Sequence, residues 1–175
     1  MCIRDRLRRS LLTSAIAASL LTTFSLPAFA TQVYETDLVI IGGGLSGLAA
    51  AQSAVDQGAK PIVLEKEAAL GGGGNFPEGS LGVGTRYQKE HNINTTVDQV
   101  LTAALQYHHY RADPHVLRVL IEESGKTIDW VMDKGAQMRG IRTMYPKDES
   151  LMTWHLFKGG AAGIIQRFAK EVRAK

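Results

Sequence analysis

The chain has 175 residues, of which 45% are hydrophobic, 21% charged and 7% aromatic. That composition excludes a disordered chain, a collagen-like repeat and a disulfide-stapled miniprotein, and the length allows one domain with a packed core. The net charge of +3 arises wholly in residues 1–30, where Arg4, Arg6, Arg8 and Arg9 outweigh Asp5. The remainder is balanced, so there is no electrostatic case for a nucleic-acid partner.

Residues 1–30 have the three zones of a secretory signal peptide. A basic start ends at Arg8-Arg9, an apolar stretch runs from Leu11 to Leu26, and Ala28-Phe29-Ala30 supplies the small-x-small cleavage pattern. The apolar stretch includes Thr13, Ser14, Ser19, Thr22 and Thr23, and it falls short of the ~20 apolar residues a membrane span requires. The expectation is cleavage after Ala30 and export to the periplasm, with the membrane met only during transit. Arg8-Arg9-Ser10-Leu11-Leu12 resembles the twin-arginine export signal, and the general secretory route is the other option. Cys2 is the single cysteine and lies in this leader. The mature chain then has no disulfide, thiolate metal site, iron–sulfur cluster or thioether-linked haem. Electrons must reach it from a separate protein or a small molecule such as a quinol.

Asp37-Leu38-Val39-Ile40-Ile41 is a continuous β-branched run that predicts a parallel strand buried on both faces. Gly42-Gly43-Gly44-Leu45-Ser46-Gly47 follows at once, then an alanine-rich helix through Val55, closed by Gly58 as a left-handed cap. Pro61-Ile62-Val63-Leu64 is a second strand that ends at Glu65. In Gly42-x-Gly44-x-x-Gly47, the first glycine permits the turn out of the strand. The second lets a pyrophosphate approach the backbone, and the third lets the helix pack close to the strand. The helix N-terminus offers unpaired N–H groups to the phosphates. Glu65 stands where a carboxylate accepts the adenosine ribose hydroxyls, which argues against a 2′-phosphate and so against NADP.

After Glu65-Lys66 comes a second glycine-rich loop, Gly71-Gly72-Gly73-Gly74-Asn75, in place of the helix usual in NAD dehydrogenases. With Asp37–Gly47, Val63-Leu64-Glu65-Lys66, Gly73-Gly74-Asn75 and the looser Gly79-Ser80-Leu81-Gly82-Val83-Gly84, the chain resembles the fumarate reductase and succinate dehydrogenase flavoprotein family. It is most similar to the exported flavoprotein reductases of that type. The resemblance implies a Rossmann-type FAD-binding domain, α/β, with a parallel sheet and helices. It places Gly42, Gly44, Leu45, Ser46 and Gly47 on the pyrophosphate and Glu65, with Lys66 beside it, on the adenosine ribose. It places Gly74, Asn75, Gly79 and Ser80 near the ribityl–flavin half. No His-Ser/Thr pair stands where covalently flavinylated relatives have theirs, so the implied FAD is non-covalent.

The second half reads as helical. Arg86–Asn94 is an exposed connection, and Thr95 with Asp98 forms a capping box. Val97, Val100, Leu101, Ala104, Leu105 and His108 then mark one helical face. Asp113-Pro114 starts a helix with Leu117, Leu120, Ile121, Ser124, Ile128 and Val131 on one side, stopped by Gly135. A last helix from Ala161 repeats the spacing with Ile164, Ile165, Phe168, Ala169 and Val172. Gly125-Lys126-Thr127 imitates the end of a P-loop, but Leu120 stands where that motif needs glycine. His108, His109 and His115 lack the spacing of a metal site and read as solvent-facing. His155 either touches flavin or substrate or serves packing, and Met138, Met144 and Met152 read as core filler.

Two strands are too few for a parallel sheet covered on both faces. Residues 31–175 therefore read as the N-terminal part of an FAD-binding domain whose capping or substrate domain is absent. Catalytic residues are expected beyond Lys175. The activity expected of the whole is reduction of fumarate or a similar α,β-unsaturated carboxylate. A flavin-dependent amine or steroid oxidase, and a non-catalytic FAD-holding fragment, are the alternatives.

Overall fold

The structure, a computed structural model, describes residues 32–144 and 150–174. The leader expected over residues 1–30 lies outside the described residues. Residues 32–35 carry no helix or strand.

The chain opens as the alternating pattern predicts, with β1 (Leu38–Ile41), helix α1 (Leu45–Asp56) and β2 (Pro61–Leu64). The strands are parallel, with Leu38 opposite Pro61 and Ile41 opposite Leu64. The helix begins inside the glycine motif, three residues before the alanine-rich stretch. It ends at Asp56 with Gln57 as its C-cap, and Gly58 follows with φ +83°, as the glycine cap requires. The expectation of a strand buried on both faces fails. Val39 is 52% exposed and Ile41 87% exposed. Among the described residues β1 pairs only with β2, so no third strand covers it.

A one-turn 3₁₀ segment (Gly72–Asn75) leads to a second, antiparallel sheet of order β3–β5–β4 that the sequence pattern did not predict. Its strands are β3 (Gly79–Leu81), β4 (Met138–Thr143) and β5 (Met152–Phe157). The fold class is α/β as expected, but three of its five strands are antiparallel.

Helices α2 (Arg86–Glu90), α3 (Val97–Tyr107), α4 (Pro114–Asp133) and α5 (Gly160–Arg173) complete the fold. The exposed connection expected at 86–94 is corrected by α2. Its capping box joins Thr85 to Gln88, and Gln88 is buried. The box before α3 is Thr96 with Gln99, one residue later than Thr95 with Asp98. Gln99 supplies the side-chain acceptor for the Thr96 N–H at 2.9 Å. The α4 start is as predicted, with Asp113 Oδ1 accepting the His115 N–H at 2.8 Å and Pro114 at the first helical position. Gly125, Lys126 and Thr127 lie inside α4, so the P-loop likeness is void. Gly125 serves packing instead, since a Cβ there would overlap the Val83 carbonyl.

The main core joins Leu48 of α1, Ile128 and Val131 of α4, Phe157 of β5, and Ile164, Ile165 and Phe168 of α5. A second cluster packs Val83 with Val100, Leu101 and Ile121. The predicted faces hold except at Leu120 and His108, which are exposed. Met138 packs on the main core, whereas Met144 is exposed.

Candidate cofactor site

The first glycine loop is built as the spacing demands. Gly42 takes φ +99°, and its N–H donates to the Leu64 carbonyl at 2.7 Å, turning the chain out of β1 across the end of β2. A Cβ at Gly47 would overlap the Gly42 carbonyl oxygen and press on Ile40. That is the close helix–strand packing for which the third glycine is needed. Gly44 differs, because a Cβ there would meet nothing nearer than the Gly71 carbonyl at 3.8 Å. The space over Gly44 is open. Gly44 is also the N-cap of α1, with no side-chain cap and no acid in the first helical turn. The first N–H groups of an uncapped helix seek an external acceptor and carry its positive dipole end.

The two glycine loops meet. The Gly71 N–H donates to the Gly43 carbonyl at 2.8 Å, and Gly44 and Gly71 form an isolated parallel bridge. Gly74 lies on Leu45, and a Cβ there would stand 2.9 Å from the Leu45 Cβ and 3.3 Å from Ile165. An open cleft of about 760 Å³ results, lined by Ile41, Gly42, Gly44 to Gly47, Leu64, Glu65 to Glu67 and Gly71 to Gly74.

Glu65 is placed by two backbone donors. Its Oε1 accepts the Glu67 N–H at 2.9 Å and its Oε2 the Gly43 N–H at 2.6 Å. These bonds, the Glu67 amide first, hold the carboxyl below the ordinary carboxylate range, so it faces the cleft charged. Two carboxylate oxygens have about four acceptor positions, which leaves room for a ribose diol. The part played by Gly43 was not read from the sequence. A Cβ there would overlap Leu70 Cδ2 and stand 3.2 Å from Glu65 Oε2. Its position between two motif glycines, with the acid at the end of β2, was the available signal.

Of the residues predicted for the site, the cleft brings together Gly42, Gly44, Leu45, Ser46, Gly47, Glu65, Lys66 and Gly74. Lys66 points outward beside Glu67, at 3.5 Å. Asn75 lies outside the lining. Its amide folds back to donate to the Leu70 carbonyl at 3.0 Å, packing over Gly71. Gly79 and Ser80 also lie outside it, in β3, opposite Leu156 and His155 of β5. His155 is buried in the sheet, bonded to Thr85 and Thr153.

The cleft suits an adenine dinucleotide: a bare helix N-terminus, a glycine with open space above it, and a fixed carboxylate at the end of the second strand. Residues 37–166 match the FAD binding domain family. The chain belongs to that family. It is 35% identical over 129 residues to vinyl phenol reductase of Lactiplantibacillus plantarum, covering 74% of this chain and 26% of the relative. It is 31% identical over 143 residues to NADH:fumarate oxidoreductase of Klebsiella pneumoniae, covering 75% of this chain and 15% of that one. The open conformation of a flavocytochrome c3 fumarate reductase superposes with a TM-score of 0.66 at 20% identity, over 95% of this chain and 28% of that one. This chain thus spans about a quarter or less of the length of the two curated relatives. The FAD binding domain family is one of flavin-dependent oxidoreductases, and FAD is its cofactor. Among the described residues no helix is long and apolar enough to cross a membrane.

Proposed function

We propose that this chain is the FAD-binding part of an exported flavoprotein reductase whose substrate is fumarate or a similar α,β-unsaturated carboxylate. The observation that carries the reading is the joined pair of glycine loops, with Glu65 fixed at one end of their cleft. The FAD is held without a covalent bond. The N-terminal amides of α1 bind its pyrophosphate, and Glu65 binds the adenosine ribose with Lys66 at the rim. The Gly71 to Gly74 loop leads toward the flavin end, with Asn75, Gly79 and Ser80 in the backbone beyond. When bound, FAD supplies hydride for the substrate's β-carbon. The chain's own residues orient the cofactor and shield it. Residues outside this chain bind the carboxylate and deliver the proton. Electrons arrive from a separate protein or a quinol. The names of the two curated relatives, a vinyl phenol reductase and an NADH:fumarate oxidoreductase, favour this reading over an amine or steroid oxidase.

The test is anaerobic spectroscopy of the protein that carries this chain. It should purify yellow, retain flavin through gel filtration, bleach on reduction, and recover its colour when fumarate or a related unsaturated acid is added. Recovery with oxygen alone would favour an oxidase. Retained flavin with no acceptor would favour a non-catalytic holder. Colourless protein that takes up no flavin overturns the assignment.

A further inference from the structure

The imidazole of His155 is wholly buried, at 0% exposure, and both of its nitrogens are engaged. Nδ1 lies 3.0 Å from the Thr153 carbonyl oxygen and Nε2 lies 2.9 Å from Thr85 Oγ1. A carbonyl only accepts, so Nδ1 carries a proton, and in the neutral ring Nε2 is then an acceptor. The Thr85 hydroxyl therefore donates to Nε2, and its oxygen accepts the Gln88 N–H at 3.0 Å as the N-cap of α2. The Gln88 side-chain oxygen accepts the Thr85 N–H at 3.1 Å, and its amide donates to the Met152 carbonyl at 2.7 Å. With a neutral imidazole the Thr85 hydroxyl makes its short bond to Nε2, whereas a protonated ring leaves it only the longer 3.5 Å bond to Gln88 Oε1.

It bears directly on residues 79–85. Ser80 stands opposite His155 in the β3–β5 ladder. The Gly82 N–H donates to the same Thr153 carbonyl at 2.9 Å. Gly82 lies against the ring, where a Cβ would stand 2.8 Å from Nδ1 and from Cε1. The His155 ring thus bonds the end of this segment at Thr85 and packs on its middle at Gly82, while its backbone stands opposite Ser80 near the start.

We propose that His155 is a positioning residue of the cofactor site, a clasp that holds Gly79–Thr85 on β5 while neutral and loosens it when protonated. The link to the cofactor rests on the proposed function, in which Gly79 and Ser80 lie toward the flavin end. Protonation turns Nε2 into a donor. Thr85 Oγ1 must then accept from both Nε2 and the Gln88 N–H. Its own proton is left with Gln88 Oε1, 3.5 Å away and already accepting the Thr85 N–H. The surrounding groups are few. From α4 comes Asp129, bonded to the Arg86 N–H at 3.0 Å and 3.7 Å from its guanidinium. From α2 comes Tyr87, edge-on at 6.1 Å and stacked on His91. From β4, uncharged Ile141 stands opposite in register. Burial lowers the pKa of His155 below the ordinary 6.5, against the smaller opposing pulls of the Thr153 carbonyl and Asp129. The unfolded chain then binds the proton more readily. Stability is at its full value above 6.5, falls as pH drops below it, and levels off beneath the folded value.

Imidazole ¹⁵N NMR of the whole protein should show the Nδ1–H tautomer. Melting temperature and FAD affinity, followed from about pH 8 to pH 5, should both decline on the acid side. His155→Gln should remove that part of the melting profile. Thr85→Ser keeps the hydroxyl and should keep the affinity profile. Thr85→Val should weaken FAD about fivefold or more at neutral pH and show little further loss in acid. An Nε2–H tautomer, or a wild-type FAD affinity flat across this range, overturns the clasp. Failure to take up FAD at any pH overturns the proposed function instead, and the tautomer and melting profile then judge the clasp alone.

Discussion

The amide of Gly43 donates to the carboxylate of Glu65 at 2.6 Å, tying the first glycine loop to the residue proposed for the ribose. In the proposed function Glu65 therefore has two parts, as a ligand of the ribose and as a brace for the loop that precedes α1. Glu65→Gln replaces one carboxylate oxygen with an NH₂ group, which faces a backbone donor. The expected result is FAD affinity about tenfold weaker or worse, measured by fluorescence titration. Because the folded carboxyl is held low, its contribution is present above the ordinary value of 4.5 and is lost as pH falls through the folded value. An acid-side loss of stability in the wild type, reduced in Glu65→Gln, checks this.

Two glycines of one motif should fail in different ways. A Cβ at Gly47 overlaps the Gly42 carbonyl, whereas one at Gly44 has open space and an ordinary φ of −72°. Gly47→Ala should lose about 3 kcal/mol or fail to fold. Gly44→Ala should melt near the wild type but lose FAD, since its methyl occupies the space over the helix N-terminus. Parallel melting and flavin-retention measurements distinguish the two.

Phe168 is buried in the main core and stacks at a tilt on Trp130, with ring centroids 5.2 Å apart. Phe168→Ala should cost about 3–5 kcal/mol, read by denaturant unfolding.

Asp56 gathers the α1–α4 contact. It accepts from Lys134 at 2.5 Å and from Gln52 at 3.0 Å, and the Lys134 bond is the main cause of its lowered pKa. Gln52 is buried, and its Oε1 has no hydrogen-bond partner. Gln52→Met removes that orphan acceptor at the loss of one bond to Asp56. The change should stay within about 1 kcal/mol, whereas Asp56→Ala should cost about 1–2 kcal/mol. Chemical denaturation of both variants checks the contrast.

The opening strand, turn, helix and strand were legible because glycine spacing and a β-branched run are local signals. The second sheet was hidden for a physical reason. In β5 the buried face carries Thr153, His155 and Phe157, while Met152, Trp154 and Leu156 are half-buried. A reader of hydrophobic alternation sees polar residues where a core face should be. Only the partners from β3, α2 and the backbone explain their burial. β4 is broken by Gly140 and two register shifts, and β3 has three residues, so neither offers a period to read. In the candidate site, the cleft formed by the first loop and Glu65 was legible from the glycine spacing and the acid that ends β2. Asn75 was not, because its amide satisfies the loop's own backbone.

The uncovered β1–β2 ribbon is the part of this fold most open to strand addition. Among the described residues its outer edges are unpaired and its aliphatic side chains face water, which is a template for strand addition from any neighbouring chain. A further strand laid along that edge would satisfy its free backbone groups and cover Val39 and Ile41.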